Sequence, residues 1–61
     1  MNISELKAEA IRIIKEIPAL KSEIQDLYSL ALSEIEEGGS ESHECSLALS
    51  DMEELVKEHR G

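Results

Sequence analysis

Sixty-one residues, a formal net charge of −8 and one aromatic side chain, Tyr28, set narrow bounds on this chain. It holds one small domain at most (residues 1–61), and a chain so short buries only about 60% of its unfolded surface, so a disulfide, a metal or a partner usually completes it. A single Cys excludes an intrachain disulfide, one Val and no Thr disfavour sheet, and the acid excess disfavours direct nucleic-acid binding, which needs clustered Lys and Arg.

The first element opens at Asn2, a good N-cap, with Glu5 three residues on in a capping-box arrangement. A 3–4 spacing of apolar residues then runs through Ile3, Leu6, Ala10, Ile13, Ile17, Leu20, Ile24, Leu27 and Ala31, the stripe of an amphipathic helix. Pro18 interrupts it: its ring presses on the carbonyl four residues back and its nitrogen has no proton to donate. The helix either kinks there or breaks, with Pro18 opening a new one. The kept phase from Ile13 through Ile17 to Leu20, and the poor capping of Ile17, favour a kinked helix over residues 3–37. Gly38 and Gly39 end it, and the turn covers residues 38–40. Ser40, with Ser42 as alternative, caps a second helix over residues 41–58, whose basic end carries Lys57, His59 and Arg60.

The expected fold is all-α, a helical hairpin of one long kinked helix and one shorter antiparallel helix. Helix 1 would span ~52 Å and helix 2 ~27 Å at the α-helical rise. Antiparallel pairing sets Ala31 opposite Ala48, Leu27 opposite Met52, Ile24 opposite Leu55 and Leu20 opposite His59; Leu20, Ile24, Leu27, Ala31, Ala48, Met52 and Leu55 are the hairpin core. Registers using Leu49 and Val56 are also open. Ile3, Leu6, Ala10, Ile13, Ile14 and Ile17 are then left without cover, each worth about 1.5–3 kcal/mol when buried. A patch of this kind marks an interaction site. The expectation is a homodimer that joins two hairpins into a four-helix-bundle-like assembly, with Tyr28 as a partly buried interface ring.

Candidate chemistry is thin. His43 and Cys45 stand two residues apart, which on a helix points them about 200° from one another, so they cannot share a metal. No spacing for a zinc or di-iron site occurs, and glycine falls only at 38, 39 and 61, so no phosphate loop exists. The acid pairs Glu36-Glu37 and Glu53-Glu54 need a desolvating cleft to catalyse, and two helices offer none. The expectation is no enzyme, no cofactor, no metal and no catalytic residue.

Charge placement says more. Residues 23–56 hold ten acids and no Lys or Arg. Glu34, Glu36, Glu37, Glu41 and Glu44 crowd the hairpin tip, either as a solvated face or as a docking surface for a basic protein. Two functions are open: a small acidic regulatory protein that binds itself and another protein, or a nucleic-acid mimic that blocks a DNA- or RNA-binding protein. One Cys, no basic-then-apolar leader and no apolar run near ~20 residues point to the cytoplasm and to no membrane partner.

In plan the chain resembles Rop-type proteins, helical hairpins that dimerise into four-helix bundles. Those bind RNA through basic and polar faces, from which this acid load departs. It is also similar to small helical proteins of lambdoid phage early regions, through Glu36-Glu37-Gly38-Gly39-Ser40-Glu41 and the following His43-Glu44. That resemblance implies a phage or prophage accessory factor acting on host or phage proteins.

Overall fold

Asn2 opens α1 (Ile3–Glu16) as its side chain predicts: Oδ1 accepts the Glu5 N–H at 2.9 Å. The computed structural model describes residues 1–61. After α1 the chain makes a 3-10 turn at Pro18–Leu20, then forms α2 (Lys21–Glu36) and α3 (Glu41–Arg60). The architecture is all-α, with three helices.

The helix expected over residues 3–37 is therefore two helices, and Pro18 breaks the chain where a kink was expected. Ile17 holds the reason. A residue before proline is pushed out of the helical region, and Ile17 takes φ −133°, ψ 79°. Its N–H still donates to the Ile13 carbonyl at 2.8 Å and closes α1; its carbonyl accepts from Leu20 at 3.0 Å and opens the turn. Pro18 sits at the first position of that turn, where a missing N–H costs nothing.

One extended residue turns the chain back on itself. α1 lies against both α2 and α3, and the Ile3 N–H donates to Glu41 Oε2 at 2.9 Å, tying the amino end of α1 to the amino end of α3. α1 and α3 thus run the same way and α2 runs against both. The molecule measures 34 × 17 × 17 Å, far from a ~52 Å rod.

The apolar stripe is covered in cis. Leu6, Ala10, Ile13 and Ile17 join Leu20, Ile24, Ala31, Cys45, Ala48 and Met52 in one core with no buried polar side chain. The first four were expected at an oligomer interface; the structure places them inside the subunit, because α1 folds back and α2 and α3 supply the cover that a second copy was expected to bring. Ile3, Ile14 and Tyr28 are half-buried against the same core. Of the expected hairpin core, Leu20, Ile24, Ala31, Ala48 and Met52 are buried, while Leu27 and Leu55 are half-buried at its edge. The uncovered stripe was the reason for joining two hairpins, and it is gone. The two-helix plan shared with Rop-type proteins is likewise replaced by three helices in one chain.

The α2–α3 turn obeys its glycines. Gly38 has φ +107°, a backbone region closed to most L residues. Gly38 N–H donates to Ile35 O at 3.1 Å and Gly39 N–H to Glu34 O at 2.9 Å, the paired bonds of a Schellman ending. A Cβ on Gly39 would stand 2.8 Å from the Glu34 carbonyl oxygen, so this position is closed to side chains as well. Ser40, not Ser42, caps α3, its Oγ accepting the His43 N–H at 3.4 Å. α3 reaches Arg60, two residues past the expected end, and the Gly61 N–H closes it on the Lys57 carbonyl at 2.8 Å.

Candidate protein-interaction surfaces

Three helices side by side leave three grooves, and the side chains flanking the core give each a different chemistry. The α1/α3 groove is mixed in charge, with Arg12, Lys57 and Arg60 facing Glu16 and Glu53. Arg12 is already engaged within α1. Its Nη2 lies 2.8 Å from Glu9 and its Nη1 2.7 Å from Glu16. The hydrogen bond and charge of Glu9, then those of Glu16, make the guanidinium hold its proton even more firmly than usual. The α1/α2 groove is lined by Lys7, Ile11, Ile14, Gln25 and Tyr28, with no acid among them.

The α2/α3 groove differs from both. Leu27, Leu30, Leu47 and Leu55 form its floor. Its walls carry Glu23, Asp26 and Glu34 from α2 and Glu44, Asp51, Glu54 and Glu58 from α3, with no Lys or Arg. Helical spacing explains the arrangement. Leu30 lies six residues after Ile24 and Leu47 five before Met52, roughly 120° and 140° round their helices from core residues. They cannot reach the core and project beside it. Leu30 is 59% exposed and Leu47 50%; with Ile11 at 44%, these are the exposed large apolar side chains of the chain.

The structure divides the acids expected at the tip. Glu34 and Glu44 enter the α2/α3 groove. Glu36, the last residue of α2, and Glu37, just after it, are exposed and lie outside it, and Glu41 accepts the Ile3 N–H, which uses part of its charge to hold α1. Reading along the apolar stripe alone missed Leu30, Leu47 and Ile11. Their signal was present as apolar residues out of phase with the seam. Tyr28 and Ile14, expected at an interface, remain partly accessible in the α1/α2 groove.

Cys45 is fully buried. Burial pushes its thiol pKa up, the Glu41 carboxylate adds to the shift, and the chain's amino terminus opposes it. It is a core side chain and a poor nucleophile. His43 is exposed in the first turn of α3, and no three His, Cys, Asp or Glu side chains are placed to hold a metal ion. No helix is long and apolar enough to cross a membrane.

Comparison with family models, with curated proteins and with solved structures returns no match to this chain. The fold and its surfaces define a class: an acidic three-helix bundle with one apolar groove walled by carboxylates.

Proposed function

We propose that this chain is a small acidic protein-interaction protein that acts by binding, in a regulatory role, through its α2/α3 groove. The observation that carries the reading is the pair Leu30 and Leu47, left in water at the centre of a groove whose charged residues are all acidic. Apolar anchors supply affinity and the carboxylates select a basic partner and steer its approach. The partner segment would be helical. The groove is lined by side chains and offers no strand edge, so an extended peptide would leave its backbone groups unpaired, whereas a helix satisfies its own.

A nucleic-acid mimic is the second reading, motivated by the ten acids without a cation over residues 23–56. Charge alone would hold such a complex. One experiment separates the two. A synthetic amphipathic helix of Leu and Lys is titrated into the protein and into the variant Leu30→Asp/Leu47→Asp, by calorimetry at low and high salt. Binding by the native protein, and its loss in the variant although the variant is more acidic, support the groove. Undiminished binding by the variant, abolished by salt, would support the mimic instead.

A further inference from the structure

The exposed apolar side chains fall on two surfaces of opposite charge. Leu30 and Leu47 lie in the acidic groove, and Ile11 lies on the face of α1 that borders the α1/α2 groove. One turn before Ile11 on that face is Lys7, one turn after it is Lys15, and Ile14 flanks it. The acids of α1 point elsewhere: Glu5, Glu9 and Glu16 sit roughly 120–160° round the helix from Ile11. Glu9 and Glu16 are moreover held by Arg12. This face of α1 is therefore an apolar ridge bordered by cations, although the whole chain is acidic.

We infer that the occupant of the α2/α3 groove is the α1 ridge of a second copy of this chain, with Ile11 set between Leu30 and Leu47 and Lys7 and Lys15 against the carboxylate walls. The inference rests on the groove reading above and names its partner. Lengths agree. Lys7 to Lys15 covers ~12 Å of helix, and the groove from Glu23 to Glu34 runs ~16 Å along α2. Charges agree as well, since two grooves facing each other would set carboxylate against carboxylate, while ridge on groove pairs opposite signs. The net charge of −8 opposes approach at a distance, but at physiological salt the screening length of ~8 Å confines that repulsion and leaves contact pairs effective.

Ridge on groove is a heterologous contact: each copy uses one surface to hold and the other to be held. Such contacts grow into open chains or close into rings, unless two copies make the contact reciprocally and close as a pair. This is a different assembly from the joined hairpins that the sequence suggested, and it uses Ile11 where that one used Ile13.

Sedimentation tests it. The native protein should rise above the mass of one chain as concentration increases toward millimolar, and fall back in about 1 M salt, where screening reaches ~3 Å. Lys7→Glu/Lys15→Glu lacks the ridge but keeps the groove. Leu30→Asp/Leu47→Asp lacks the groove but keeps the ridge. Each variant alone should remain monomeric with unchanged helical circular dichroism, because all four positions are exposed. Mixed in equal amounts they should form a complex of one copy each and nothing larger, since one intact ridge and one intact groove remain. Association of either variant alone, or failure of the mixture to pair, overturns the inference. A native chain that stays monomeric at millimolar concentration overturns it too. If it does so while the Leu/Lys helix still binds, the groove reading survives and only its partner is wrong; if neither binds, both fall.

Discussion

Replacing Ile13 by Ala probes the central feature of the fold, the return of α1 onto α2 and α3. Ile13 is 1% exposed within the core. The substitution removes three carbons, about 2.5 kcal/mol at ~0.8 kcal/mol per buried methylene. The cavity left behind adds to this, and comparable substitutions cost about 2–5 kcal/mol. A chain of this length has a total stability of roughly 3–9 kcal/mol, so Ile13→Ala takes a third of it or more. With an unfolding entropy of about 2.1 cal/mol/K per residue, a loss of about 3 kcal/mol lowers Tm by roughly 20 °C. Ile11, two residues away on the same helix and 44% exposed, is the control, and its replacement by Ala costs less than about 1 kcal/mol. The assay is thermal melting by circular dichroism at low micromolar concentration in about 1 M salt, where surface ion pairs are screened. The native chain should melt cooperatively there. Equal costs for the two substitutions, or a native chain already unfolded on dilution, would refute the reasoning. Either result would mean that the α1 stripe finds its cover on another molecule.

The turn and the core carry two further expected outcomes. Pro18→Ala frees Ile17 from its extended conformation while leaving the Ile13, Ile17, Leu20, Ile24 seam in phase. It should allow α1 and α2 to fuse into one helix and exchange partners between copies, giving a dimer by sedimentation that persists in high salt. Stability should also depend on Cys45. Its folded pKa lies above the unfolded value, so the folded state holds the proton more tightly. That contribution is complete below about pH 8.5, the ordinary thiol range, and is lost as pH rises through the folded pKa. The urea midpoint should therefore fall in the alkaline range, and Cys45→Ala should remove that part of the fall.

Much of the fold was readable one turn at a time. Asn2, Ser40 and the Gly38-Gly39 pair mark helix ends through bonds that span three to five residues, so their effect does not depend on the rest of the molecule. The stripe likewise named nearly all of the core, because a residue's place on a helix face is set by spacing alone. Pro18 was different. A kink and a break satisfy the same caps and keep the same seam, and they differ in a few torsions, chiefly φ and ψ of Ile17. The choice between them rests on contacts between residues far apart in the chain: folding back buries Leu6, Ala10 and Ile13 against α2 and α3, and a continuous helix would leave them in water. The groove has the same origin. Leu30 and Leu47 are ordinary off-phase leucines until α2 and α3 pack antiparallel, and only then do they meet between two rows of carboxylates. Helical periodicity assigns each residue a direction on its own rod; which directions come to face each other is decided when the rods pack.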